Sequence, residues 1–444
     1  MNERSSELAI PAVRQETSHS WYVLGMLLVV CALSFADRYL LAGLVEPIKQ
    51  DLGVSDTYIG FLLGPAFAIL YTTAAIPIAR LADRASRVMI LAVGCATWSL
   101  FTLLSGHVTD PLGFALMRVG VGLGEAAFSA PAYSLLSDYF PPRRRALAFA
   151  VLGVGYFLGQ VGGLSLGPLI AAEHGWRQAF VAAGLPGFVV ALLLCLTVRE
   201  PPRAHLQIRG KIQEPLWATL RSLWRLPSYR LMTAGAALGG FATFSFGMWG
   251  ATYFARVHGL PLANATLTFA LGYGLSSLLG MLASGWLSDR LARRSASAPM
   301  RLAAGSLLAL IVCILLACAI PDLSSAVFFL VAGGLLGGGY SANILAALQD
   351  LLPDAIRATA TAVFAFLVTF VGMVGGPYTA GVLSDVFSSF GADALRYALI
   401  ATSFVGVLAA LLLLRSIPTL AADARALAAG GGGTVAVFDP HGQR

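Results

Sequence analysis

Charge is scarce in this chain: Asp, Glu, Lys and Arg together make up 11% of its 444 residues, against 57% apolar. A water-soluble domain carries about 25% charged residues, so a soluble fold of this length is excluded. Metal-ligand spacing is missing among the six histidines and five cysteines, so no metal or other cofactor is expected. No nucleophile elbow or phosphate loop occurs either. The run Gly430 to Gly433 lacks a following Lys-Ser/Thr, and the glycines near Gly120 lie in an apolar stretch that follows no strand. An enzyme is therefore not expected. A receptor or sensor stays open in principle, but no soluble signalling domain is evident. Cys31, Cys95, Cys195, Cys313 and Cys318 all lie in apolar stretches, which argues against a disulfide framework.

What the chain has is apolar length. A bilayer core of ~30 Å needs about 20 apolar residues per helix. Twelve such stretches run over 21–43, 57–79, 88–107, 111–136, 146–171, 178–198, 230–256, 264–287, 302–320, 324–349, 358–384 and 394–415. The first follows a polar tail and shows no small-residue cleavage site, so it reads as a retained helix. The net charge of +7 would suggest nucleic acid in a soluble protein, but placement argues for topology. Arg80, Arg84, Arg87, Arg143 to Arg145, Arg199 to Arg230 and Arg290 to Arg301 gather on one side, leaving Lys49, Arg177, Arg256 and Arg396 on the other. The positive-inside rule then puts both termini in the cytoplasm of a multi-pass inner (plasma) membrane protein. No nucleic-acid partner is expected, membrane lipids are, and a monomer is the expected state.

The polar stretch Arg199 to Pro227 divides the chain six and six. Within it Leu216, Leu220, Leu223 and Trp224 share a face, as in a helix lying on a bilayer surface. The expected divisions are a tail over 1–20, a six-helix bundle over 21–198, a linker over 199–228, a second bundle over 229–415 and a flexible tail over 416–444. An internal repeat supports them. Arg80-Leu81-Ala82-Asp83-Arg84-Ala85-Ser86-Arg87 returns as Trp286-Leu287-Ser288-Asp289-Arg290-Leu291-Ala292-Arg293, and Asp138, Pro141 and Arg145 return as Asp350, Pro353 and Arg357 at nearly the same offset. Parallel halves of this kind build a path at the bilayer midplane that opens alternately to each side.

The repeated Asp-Arg loop resembles the signature between helices 2 and 3 of the major facilitator superfamily; in the first copy Ala79 stands where glycine is expected. Arg118-Val119-Gly120-Val121-Gly122-Leu123-Gly124-Glu125-Ala126 resembles its helix-4 pattern. The expected fold is thus all-α, twelve transmembrane helices in two pseudo-symmetric six-helix bundles. Phe35-Ala36-Asp37-Arg38-Tyr39, Gly124-Glu125-Ala126 with Pro131 and Tyr133, and Arg199-Glu200-Pro201-Pro202-Arg203 are similar to the Spinster family. That resemblance implies export of sphingosine-1-phosphate, transport of lysophospholipids, or proton-coupled transport. It also implies a cytoplasmic latch at Asp83, Arg84, Arg87, Asp289, Arg290 and Arg293, for which a solvated, topology-setting face is the alternative.

Four charged side chains lie well inside apolar stretches: Asp37, Arg38, Arg118 and Glu125. A charge near the bilayer centre costs at least ~2.5 to 3.5 kcal/mol, so these should face a central cavity and one another. Arg118, Gly122 and Glu125 share a helix face, with ~10 Å of rise between the charged pair. Asp37 and Arg38 are ~100° apart on theirs, and the pairs expected in at least one state of the protein are Asp37 with Arg118 and Arg38 with Glu125. Burial favours a neutral carboxyl and a nearby arginine favours the charged form, so Asp37 and Glu125 are the proton-coupling candidates. Arg38 and Arg118 suit an anionic head group, since guanidinium binds phosphate through two parallel hydrogen bonds. The plain alternative is a structural ion-pair cluster joining two helices. Tyr133 and Asn343 are further substrate-binding candidates; for Gln160, Ser245 and Asn343 helix packing is the favoured reading over a bond to substrate. Charge in one half against aromatics such as Phe241, Phe244 and Trp249 in the other suits an amphipathic lipid. A small non-lipid solute or drug is the rival cargo.

Overall fold

Helices begin where capping chemistry allows. In this computed structural model, which describes residues 17–201, 216–295, 297–352 and 354–429, Thr17 and Ser20 close a capping box at the first helix. Ser55, Ser86, Asp110 and Asp322 each accept an N–H bond from the first turn that follows. Pro111, Pro142 and Pro227 occupy first turns, where a missing N–H costs nothing. The described residues are nearly all helical.

Twelve of these helices are long and apolar enough to cross a membrane. Spans 1 to 6 are Ser18–Gly43, Asp56–Ala82, Arg87–Ser105, Pro111–Tyr139, Pro142–His174 and Trp176–Thr197. Spans 7 to 12 are Pro227–Val257, Leu262–Ala292, Ala298–Ala319, Leu323–Leu351, Thr359–Val386 and Ser388–Leu420. The short helix Leu216–Arg225 precedes span 7. Its Leu223 is buried, Trp217 is exposed, and Trp224 meets the edge of Tyr229. The last helix continues to Ala429, past the 415 at which the second bundle was expected to end. Alanines from Ala421 onward favour helix intrinsically, whereas the sequence reading took the Ala/Gly-rich composition for a tail. Residues 1–16, 202–215 and 430–444, on which parts of the expected tails and linker fall, lie outside the described residues.

Span 5 lies along span 1. A Cβ on Gly159 would stand 2.6 Å from the Phe35 Cβ and 2.8 Å from the Ala36 N, so only glycine lets the two backbones meet there. That contact fixes the turn of span 1 carrying Asp37 and Arg38. Between the halves, span 2 packs on span 11, span 5 on span 8 and span 1 on span 7. Span 2 breaks at Gly64 (φ −116°, ψ −94°), where a Cβ would lie 2.7 Å from the Met373 carbonyl oxygen of span 11. Span 11 widens into a π-helical turn over Phe370–Gly375, just before Pro377, and span 8 does the same over Ala270–Leu275. These wide turns sit where the second half meets the first, at Gly64 and at Gln160. Span 5 runs through Pro168 as one helix.

Candidate functional site

The four intramembrane charges come together in the first half, and all four are buried. Arg38 and Glu125 form the expected pair: Arg38 Nε and Nη2 each reach Glu125 Oε2 at 2.7 Å, and Ser34 Oγ donates to the same oxygen at 2.6 Å. The Arg38 guanidinium also lies among three rings, 4.6, 4.7 and 4.5 Å from the centroids of Phe35, Phe67 and Tyr71. Cation–π attraction strengthens when water is excluded, so both the charge and its stem are held. Glu125 ends the first helical part of span 4, since Ala126 to Phe128 interrupt the helix before Ser129.

The other expected pair is not made in this conformation. Thr102 of span 3 donates to Asp37 Oδ2, no ion pair joins Asp37 to Arg118 among the described residues, and Asp37 Oδ1 and Arg118 Nε have no hydrogen-bond partner. Arg118 instead faces the Phe67 ring at 5.4 Å, on which Arg38 also packs. One aromatic ring thus serves both guanidiniums. Glu125 Oε1 is unpartnered as well. The site therefore holds two carboxylates, each with one bonded and one open oxygen, beside two arginines. Such groups can take a proton or receive a ligand that completes their bonding.

Tyr133 stands one layer back, its hydroxyl 3.1 Å from that of Tyr156, whose ring packs on Phe35 at 4.4 Å. Asn343 lies in the second half and donates to Ser284 Oγ at 2.8 Å. Ser245 donates to the Gly376 carbonyl at 2.7 Å, a bond between spans 7 and 11. Gln160 Nε2 is buried without a partner.

Of the six loop residues, Arg87 is buried within its own half. It holds Asp138 at 2.6 Å and Glu200 at 2.7 Å. Asp83, Arg84, Asp289, Arg290 and Arg293 are exposed. The halves are tied at the opposite end, by a network in which the sequence reading had used only Lys49 and Arg256, and those as topology markers. Arg256 of span 7 grips Asp56 with a fork, Nη1 to Oδ2 at 2.5 Å and Nη2 to Oδ1 at 2.8 Å, while its Nε donates to Glu46. Lys49 and Ser384 reach the same aspartate at 2.6 and 2.7 Å. Asp385 of span 11 then accepts the Asp56 and Thr57 N–H groups at 3.1 and 2.7 Å, closing the start of span 2. Apart from Lys49, these partners of the span-2 start lie two hundred or more residues away along the chain, so no local pattern announces them. Thr102 was legible in principle: Ser99, Thr102 and Ser105 follow one another at three-residue steps along span 3.

The Major Facilitator Superfamily model matches residues 27–375. An MFS-type efflux pump of Mycolicibacterium smegmatis is 35% identical over 393 residues, covering 88% of this chain and 90% of that protein. Protein spinster homolog 1 of Xenopus tropicalis is 30% identical over 425 residues, covering 88% and 79%. Among solved structures, a bacterial homolog of the human lysosomal transporter Spinster, in an inward-facing and unoccupied conformation, superposes with a TM-score of 0.81 at 27% identity, covering 92% and 99%. Family and fold point to a transporter rather than an enzyme. This chain belongs to the major facilitator superfamily and is a transporter of the Spinster type.

Proposed function

We propose that the protein is a proton-coupled secondary transporter for an amphipathic lipid, such as a lysophospholipid or a sphingosine-1-phosphate-like molecule. It works by alternating access in the inner membrane with both termini cytoplasmic. The observation that carries this reading is the unequal division of polarity. Asp37, Arg38, Arg118 and Glu125 are buried in the first half, opposite neutral hydrogen-bonding and aromatic groups of the second. A cargo with an anionic head and an apolar tail matches both sides at once. Asp37 and Glu125 are the proton sites. An approaching phosphate competes with Glu125 for Arg38 and engages Arg118, which leaves the Glu125 carboxylate without its cation and lets it take up a proton. Tyr133 and, across the cavity, Asn343 complete the binding set. Asp83, Arg84, Arg87, Asp289, Arg290 and Arg293 form the latch that closes the cytoplasmic end when the Arg256 network releases the other.

A relative named as an efflux pump favours a second reading, a carrier or exporter for a small non-lipid solute. Proteoliposomes with an imposed pH gradient separate the two. Labelled lysophospholipid or sphingosine-1-phosphate uptake is compared for wild type, Asp37→Asn and Glu125→Gln, with internal pH followed in parallel. Gradient-dependent lipid uptake that either substitution abolishes in folded protein is the expected result. No lipid uptake by wild type moves the cargo to the second reading, and uptake unchanged in both variants removes the coupling role.

A further inference from the structure

At the end of the molecule that carries the termini, the two halves treat one repeated feature differently. In the first half, the start of span 3 is filled by a carboxylate. Glu200 Oε2 accepts the Val88 N–H at 3.1 Å and the Ser86 hydroxyl at 3.0 Å, while Oε1 accepts Arg87 Nε at 2.7 Å. Span 9 occupies the matching place in the second half and begins after Ser297, whose side chain makes no capping bond. There the protein has an open pocket of about 430 Å³ lined by Leu291, Arg294, Ser295, Ala298, Arg301 and Leu302. Arg301 Nη2 donates to Ser295 Oγ at 2.6 Å. Neither Arg294 nor Arg301 forms an ion pair among the described residues, and both side chains are exposed.

The pocket's depth in the membrane follows from span 8. Leu279, Leu282 and Trp286 are exposed at 51, 56 and 64%, and with Arg290 and Arg293 they follow one another at three- and four-residue steps. They form a single outward stripe that turns from aliphatic to aromatic to cationic. Arg290 lies over the Trp286 ring at 5.5 Å. Tryptophan followed by arginine marks the headgroup level of a bilayer, and Arg294 begins the pocket immediately beyond it.

We propose that this pocket binds a phosphate anion, supplied by an anionic phospholipid of the adjacent leaflet, between Arg294 and Arg301. The head group takes the role that Glu200 plays in the first half, and the acyl chains continue along the Leu279–Leu282 stripe. Basic pockets at this level are the usual form of headgroup recognition. The proposal is independent of which molecule is transported.

The test is the thermal midpoint of the full-length protein in detergent, titrated with phosphatidylglycerol, phosphatidylcholine or inorganic phosphate. Phosphatidylglycerol raises the midpoint and phosphatidylcholine does not. The double variant Arg294→Gln/Arg301→Gln needs roughly tenfold or more phosphatidylglycerol for the same effect, whereas Arg230→Gln, on the same membrane face, responds as wild type. Equal responses in wild type and double variant, or to both lipids, overturn the proposal. A full effect of inorganic phosphate at equal concentration keeps the anion pocket and overturns its lipid source. Should the glutamine pair fail to fold, the Arg294→Lys/Arg301→Lys pair with an intermediate loss, together with the wild-type lipid comparison, decides the matter.

Discussion

The first half of this transporter buries ions, and the second buries only neutral polar groups in the corresponding spans. Arg38 and Glu125 pair inside a box of aromatic rings, whereas Asn343 and Ser284, or Ser245 and the Gly376 carbonyl, make single neutral hydrogen bonds. The neutral bonds hold helices at modest cost and have nothing to exchange. The ions are expensive and leave oxygens open at Asp37 and Glu125. A fold that needed only cohesion would use the second half's solution twice.

The largest expected effect comes from removing one member of the ion pair. Arg38→Ala strands Glu125 in a buried site and should destabilise the protein by about 3–5 kcal/mol, read as a large fall in thermal midpoint in detergent. Arg38→Met with Glu125→Met should recover most of that loss yet not restore gradient-driven uptake. Recovery of both would mean that the ions serve cohesion alone, and the contrast between halves would collapse. Next in size is the tie at the far end. Arg256→Gln loses the charged fork on Asp56, where hydrogen bonds to charged groups contribute about 1.5–3 kcal/mol each. Spin labels placed across that end should report a longer distance between halves; an unchanged distribution would show that Asp385 and Ser384 suffice.

The smallest effect sharpens the comparison at the end with the termini. Burial pushes the Glu200 carboxyl up, but the Val88 N–H and Arg87 outweigh it and hold the group below its ordinary range. A depressed carboxyl adds stability above its unfolded value near 4.5, and loses it as pH falls through the folded value. Glu200→Gln should therefore cost about 1 kcal/mol at neutral pH, a figure reduced by the group's partial exposure. Wild type and variant should converge in acid. A gap that persists at low pH would assign the contribution to packing.

Much of this was legible in the sequence. Apolar length placed all twelve spans, and the rarity of intramembrane charge singled out the four residues that gather. The Arg38–Glu125 pair was found because few partners were available to either. The bond from Thr102 to Asp37 was not foreseen because helical phase says which residues share a face but not which neighbour that face meets. Span 3 brings Thr102 to Asp37, and the Phe67 ring seats Arg118. The break at Gly64 and the wide turns in spans 8 and 11 depend on contacts with the other half, which no window of sequence contains. The Arg256 network was hidden for the same reason, since Glu46, Lys49, Asp56 and Asp385 each look like ordinary loop polarity.

The Asp385 carboxylate does more than join spans 2 and 11, because it holds two backbone N–H groups as well as facing a charged neighbourhood. Added salt weakens the attraction of Arg256 and Lys49 for Asp56, but it leaves main-chain hydrogen bonds largely intact. Ionic strength should thus tune only part of the barrier to opening that end. The remainder, set by uncapping span 2, gives the transporter a salt-resistant ceiling on how often that end opens.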